Sequence, residues 1–457
     1  MLNTLVLNQR WSFRDINYRL AQIFLWLSVM ALPFGVGYIN TLLLSAVAFT
    51  LLSGHWREKL EMLRSQKTTR WVLEFMAVIL FGVLYSAATS KHAWGGFSKY
   101  DKILFFIAYL PLITEQKFRH GLINAFLVSA LISVLIIIGG FDSGDPLINP
   151  IDSSFIVGVA SFILLRKCLE GGQWRWLQGA LFVFLGTYLL FYNIERSGYL
   201  IFFGLLGTVF WQYFRWRGLL VGLSLILSLI LSLYWLSPVF QQRLDRGYAE
   251  AKVYISTESK TSQAIGRRLG LITDVVASHE TFWDKKTNDF SLYAAYQAKQ
   301  GLLAEKRWLL NPHADLQVSS IGLRLGFMQY SWREIQKHPW FGNGTGSFAE
   351  VYGAGGGPRI DENLLGHPHN EYILVWFQWG IFGLIIFLLW QLAMWVESFR
   401  LPKKEQFLLQ GLLVCFALLG FCNATLYVNP TGDVFVILAT VSLSAKNHER
   451  GHQWTLR

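Results

Sequence analysis

The polar and apolar positions of this chain do not alternate; they come in blocks. Apolar runs of roughly twenty residues, long enough to cross a hydrocarbon core as helices, are separated by short polar connections. These windows place helices over residues 20–36, 38–54, 71–89, 103–114, 121–140 and 153–166. Six more follow over 177–193, 199–214, 218–236, 372–395, 406–423 and 431–446. The run at 103–114 is short for a crossing and is expected to start earlier, to tilt or to be partly re-entrant. The pattern predicts an all-α polytopic membrane protein with about 12 transmembrane helices.

One long connection breaks the rhythm and divides the chain into three parts. Residues 1–237 form an N-terminal transmembrane bundle of about nine helices, and 238–371 a loop domain that is mainly helical. Residues 372–457 supply about three more helices and a tail. The loop contains an amphipathic stretch, "IGLRLGFMQYSWREIQKHPW", and then the glycine-rich run "GNGTGSFAEVYGAGGG". Connections this long are seldom idle, so chemistry is to be sought where the loop meets the membrane.

Composition agrees with the block pattern. Hydrophobic residues make up 53% and charged residues 15%, against about 25% charge in a soluble protein. A net charge of +11 would by itself suggest nucleic acid. The basic residues, however, collect in "HWREKLEMLRSQKTTR", "EQKFRH", "RKCLEGGQWRW", "RWRG" and "ESFRLPKKEQ", which share one side under this helix count. The positive-inside rule makes that side, and both termini, cytoplasmic, and no nucleic-acid partner is expected. The basic segment "SKHAWGGFSKYDK" is an exception that falls outside. The long loop also falls outside, in the periplasm if the cell is Gram-negative, with the chain in the inner membrane. No small-residue cleavage site follows the basic N-terminal stretch, which is expected to be retained. Cys168, Cys415 and Cys422 all lie away from the loop, so no disulfide framework or cysteine metal site is expected there.

Candidate chemistry clusters on the outer side. Arg196, in "NIERSG", is pinned between two apolar runs, and is read either as a snorkelling arginine or as a grip on an anionic lipid head. Arg324 stands among apolar residues of the amphipathic stretch, either as a solvated charge or as a second phosphate-binding arginine. Arg267 and Arg268, in "GRRL", are weaker candidates of the same kind. The run "HPWFGNGTGSF" is either a tight turn or a nest of backbone N–H groups aimed at an anion, and it is not a Walker loop. No nucleotide is expected. In "GHPHNEYILVWFQWG", His367 and His369 lack a spaced carboxylate or cysteine partner, so they make a weak zinc site and no metal is expected. Asn370 is placed to cap the following helix, with Glu371 in its first turn. His369 is a candidate general base or hydroxyl-orienting group, its pKa lowered by the helix N-terminus, and His367 a candidate partner. Asp433 reads as a helix-start charge, and Lys99, Asp101 and Lys102 as an outer cluster of no assigned role.

Together these motifs resemble the O-antigen ligase and polymerase superfamily of polytopic glycosyltransferases. The resemblance rests on Arg196-Ser197-Gly198 between two crossings and on the long outer loop whose second part opens "IGLRL". It rests also on His369-Asn370, with Gly380 eleven residues beyond the histidine. The resemblance implies a GT-C-like, inverting, metal-independent transferase. Its donor would be an undecaprenyl-pyrophosphate-linked glycan and, in a ligase, its acceptor lipid A–core. By the same resemblance Arg196 and Arg324 would hold the pyrophosphate, and His369 would activate or position the acceptor hydroxyl. An O-antigen polymerase and a protein O-oligosaccharyltransferase are the alternatives within the resemblance. A transporter or flippase is the alternative outside it; the crossings carry few buried charges and no repeated pair of broken helices.

Overall fold

Ser12 opens the first helix with a capping box: its Oγ accepts the Asp15 N–H at 3.2 Å, and the Asp15 carboxylate takes the Ser12 N–H at 3.2 Å. The computed structural model describes residues 12–139, 150–193, 195–237, 240–249, 320–354, 366–428 and 430–446. Among these, helices and turns occur and no strand does.

In chain order the helices are α1 (Phe13–Met30), α2 (Val36–Leu52), α3 (Trp56–Arg64), α4 (Lys67–Leu84) and α5 (Ser90–Tyr100). They continue as α6 (Lys102–Tyr109), α7 (Gln116–Ile138), α8 (Pro150–Glu170), α9 (Arg175–Thr187, extended by a π turn at Tyr188–Tyr192) and α10 (Ser197–Leu236). Next come α11 (Phe240–Ala249), α12 (Ser320–Lys337), α13 (Phe348–Ala354), α14 (Glu371–Ser398), α15 (Lys403–Gly420) and α16 (Thr431–Leu443).

Helix occupies every apolar window expected from the sequence. By length and composition, three helices suffice alone to cross a membrane: Gln116–Ile138, Ser197–Arg215 and Glu371–Ser398. The number rises to five if each sharply bent pair, α2 with α3 (113°) and Leu220–Leu236 with α11 (98°), counts as one span. The expected count of about 12 crossings is therefore not reached on that measure among the described residues. The shortfall has local causes, since α16 is 13 residues long and α6, in the short 103–114 run, only 8. The exceptional basic segment is not a loop: it folds as α5 and runs almost directly into α6.

Two long helices are broken, and the breaks shape the site. At Arg215 the backbone leaves helical geometry (φ 55°, ψ −145°). Beyond it the chain turns back on itself: a Cβ at Gly222 would lie 2.4 Å from the Phe210 ring, and one at Gly207 would meet Ile226. The two limbs of α10 thus run antiparallel, and α11 returns to the start of α10, where Phe240 packs on Tyr199 at 4.9 Å. In α14 the break falls at Gly380 (φ 65°, ψ −167°), where a Cβ would lie 2.1 Å from the Trp340 carbonyl.

The glycine-rich run fills the second break. Asn343 and Gly344 donate their N–H groups to the Phe377 and Gln378 carbonyls at 2.9 and 2.8 Å, and Ile381 N–H reaches the Pro339 carbonyl at 2.9 Å. These bonds satisfy groups that an interrupted helix would leave orphaned, at about 1–3 kcal/mol each. Thr345 N–H donates to the Gly82 carbonyl at 3.0 Å and Gly346 N–H to Gln378 Oε1 at 2.8 Å. The anion-nest reading of this run is therefore corrected: the four successive N–H groups are all spent on the protein. The run is a strap that ties α4 and α5 to α14. Its exit helix, α13, is pinned by Glu350, which accepts Thr89 N–H and Oγ–H at 2.8 Å each and pairs with His92.

The bundle has two distinct polar ends. At one, Glu397 caps the start of α4 through Lys67 and Thr68 and pairs with Lys446 at 3.2 Å, while Arg166 binds the Lys404 carbonyl at 2.9 Å. The basic connections gather there. The strap, α12, α13 and the start of α14 gather at the other.

Candidate active site

The turn between α9 and α10 is held rigidly enough to present charge. Asn193 is buried; its Nδ2 donates to Ser154 Oγ at 3.0 Å and to the Pro150 carbonyl at 3.3 Å. Its Oδ1 accepts the Glu195 N–H at 2.9 Å, an Asx-type turn that sets the following residues. Arg196 then occupies the N-cap position of α10, and its guanidinium lies against Gly247 of α11, where a Cβ would come within 3.4 Å of Cζ.

Arg324 arrives from α12. Its Nη2 lies 3.7 Å from the Glu195 carboxylate, with side chains 22% and 29% exposed. The residue predicted as a solvated charge or a phosphate ligand is thus only partly exposed, and it pairs with the residue that directly precedes the other candidate arginine. One helical turn further, the buried Phe327 stacks on the His369 ring (6.2 Å, 20°). Arg324 and His369 therefore face one space, and the charge of one is felt by the other.

His369 sits in the left-handed region (φ 53°), which a histidine adopts only when its surroundings demand it. The demand is visible. Its N–H donates to His367 Nδ1 at 3.1 Å, and the two rings meet edge to face at 4.5 Å. Asn370 Oδ1 then accepts Ile373 N–H at 2.9 Å, the expected helix cap, while its Nδ2 reaches the Phe421 carbonyl at 3.2 Å. His367 spends its Nδ1 lone pair on the turn, so it serves to position His369. Among the described residues no group of three or more His, Cys, Asp and Glu gathers as a metal-binding set.

Burial, reinforced by the charge of Arg324, lowers the His369 pKa to about 4; the Asn423 side chain partly offsets this. His367 is held well below the usual imidazole range by burial, then by His369, Arg324 and Lys99. At neutral pH His369 is an uncharged ring, and its buried Nδ1 has no hydrogen-bond partner among the described residues. A neutral imidazole next to a guanidinium can take a proton while the cation holds an anion.

Glu371, read as a first-turn charge, is fully buried and accepts the Leu426 N–H at 2.8 Å, fixing the segment before α16. The Lys99, Asp101 and Lys102 cluster separates: Lys99 lies over the Tyr427 ring at 5.9 Å, beside His367. Lys102 points into the protein, where its electrostatic partners include Asp433 and Asp152, and Asp152 accepts from Thr431. Arg267 and Arg268 lie outside the described residues. Glu195, Phe327 and Asn423 were not singled out from the sequence. Only Glu195 carried a signal there, as a carboxylate directly preceding the pinned arginine.

No curated protein matches the chain. Residues 181–388, which include Arg196, Arg324 and His369, match the family model described as O-antigen ligase, a match that supports the O-antigen ligase and polymerase superfamily.

Proposed function

We propose that this protein is an O-antigen ligase of the bacterial inner membrane. In this reading it transfers glycan from undecaprenyl pyrophosphate to lipid A–core at the periplasmic face, with inversion, without metal or nucleotide, and on a GT-C-like scaffold. The observation that carries the reading is the convergence of the α9–α10 turn, α12 and the head of α14, which gathers Arg196, Arg324 and a neutral His369 at one end of an apolar bundle. Such an end suits a substrate with a lipid tail and an anionic head.

The chemistry balances with these groups alone. The acceptor hydroxyl oxygen attacks the anomeric carbon as the bond from that carbon to the phosphate oxygen breaks. The hydroxyl proton passes to His369, or is held by it while water takes it away. The electron pair leaves with the diphosphate, whose growing charge falls on Arg196 and Arg324. Fixed cations of this kind are a large source of rate, since they need no rearrangement as charge develops. Asn370 and His367 act through His369, one by starting α14 and the other by holding the turn.

Reconstitution tests the reading: purified protein, lipid-linked glycan and lipid A–core are mixed in EDTA without nucleotide. Glycan on lipid A–core is the expected product. Longer lipid-linked chains would instead make the protein a polymerase, and glycan on a periplasmic protein a protein O-oligosaccharyltransferase. No transfer to any acceptor by folded protein would end the transferase reading.

A further inference from the structure

We infer that Arg243 of α11 is a positioning residue for the donor, which it serves by setting the turn that carries Glu195 and Arg196; the inference rests on the proposed function. Arg243 does so from outside the turn. Its Nη1 donates to the Asn193 carbonyl at 2.7 Å and to Tyr199 Oη at 2.8 Å, bracketing the turn at both ends. Asn193 holds the same turn from within, through Pro150 and Ser154.

Three further features make α11 a clamp rather than a passing helix. The chain bends by 98° to bring it across the head of α10. Tyr234 Oη donates to Asp245 Oδ1 at 3.0 Å, and Phe240 packs on Tyr199, so the bend is fastened on both sides. The Arg196 guanidinium then lies beside Gly247, where a Cβ would be in ordinary van der Waals contact, 3.4–3.5 Å from Cζ, Nε and Nη1. A charge-assisted bond to a backbone carbonyl fixes the carbonyl's direction, and with it the residues that follow. Both hydrogen bonds of Arg243 go to the two ends of the turn, so it acts through Arg196.

Binding of glycan-free undecaprenyl pyrophosphate to the full chain in nanodiscs tests this, with thermal unfolding followed alongside. Arg243→Gln is expected to weaken binding about tenfold with little change in melting temperature. Arg243→Lys should recover part of the loss. In an Arg196→Ala background, Arg243→Gln should add nothing, because the group it positions is gone. Wild-type affinity in Arg243→Gln, or a loss that adds in full to that of Arg196→Ala, overturns the inference. Should Arg243→Gln not fold, Tyr199→Phe, which removes one of the two acceptors, should show a smaller loss in the same direction, and its absence would count equally against the inference. If the wild type does not bind the lipid diphosphate at all, the functional reading falls and takes this inference with it.

Discussion

Arg324 and Glu195 meet at 3.7 Å across the gap between α12 and the α9–α10 turn, so the carboxylate faces one candidate arginine and directly precedes the other. With side chains 22% and 29% exposed, the pair contributes at most about 1 kcal/mol to stability. Its value lies elsewhere. An anion entering this space competes with the carboxylate for the guanidinium.

Glu195→Gln should therefore leave folding almost unchanged and lower the donor KM by about two- to fivefold, since the arginines lose an internal competitor. Steady-state kinetics against donor concentration would show it. A raised KM would mean that Glu195 orients Arg324 more than it competes for it.

On the proposed function, the protonation of His369 should set the acid limb of activity. Its pKa is lowered from 6.5 to about 4, so the neutral ring persists as pH falls through the ordinary imidazole range and is lost only near 4. kcat/KM should stay flat from neutral pH down past 6.5 and then fall as the ring takes a proton. The limb of kcat should lie higher, because a bound diphosphate favours the imidazolium. Stability has the same sign: unfolded imidazole binds a proton from pH 6.5 downward while the folded ring refuses it, so the folded state weakens between 6.5 and 4. A kcat/KM limb near 6.5 would show that His369 is not held as described.

The apolar blocks made the helices legible, and "HNEY" made the Asn370 cap legible, because both depend on neighbours in sequence. What stayed hidden depends on distant partners. The strap spends its N–H groups on the Phe377, Gln378 and Gly82 carbonyls, and nothing local to "GNGTGSF" distinguishes that use from anion binding. Lys99 and Lys102 look equivalent three residues apart, yet the α5–α6 junction falls between them, with one over Tyr427 and the other toward Asp433. The pairing of Glu195 with Arg324 joins segments far apart in the chain, so the arginine was visible and its partner was not.

A glycine of the strap and a glycine of α12 separate two kinds of substitution. At Gly344 (φ 87°) a Cβ would lie 2.3 Å from the Ser86 Cα, a backbone neighbour that cannot swing away. Gly344→Ala should lower the melting temperature sharply and reduce the folded fraction on size exclusion, with a cost above about 2 kcal/mol. At Gly326, inside α12, a Cβ would meet nothing within 4 Å among the described residues. Gly326→Ala should stabilise by up to about 1 kcal/mol through helix propensity alone. Equal melting temperatures for the two variants would contradict the packing of the strap.

Phe327 links α12, which carries Arg324, to His369, and its replacement should divide stability from catalysis. The ring stacks on His369 and meets Phe348 and Tyr352 edge to face at 5.9 and 5.2 Å. Phe327→Ala removes the whole buried ring and should cost about 3–5 kcal/mol, lowering melting temperature and activity together. Phe327→Leu keeps most of the volume and should cost less than about 1.5 kcal/mol, but it has no flat face to hold the imidazole. That variant should melt near the wild type, keep its donor KM and lose kcat by about tenfold, since only the orientation of His369 has changed. An unchanged kcat would mean that the His367 contact and the left-handed turn suffice to aim the ring. A raised KM with unchanged kcat would move the role of Phe327 to Arg324, one turn away on α12, and so from proton handling to donor binding.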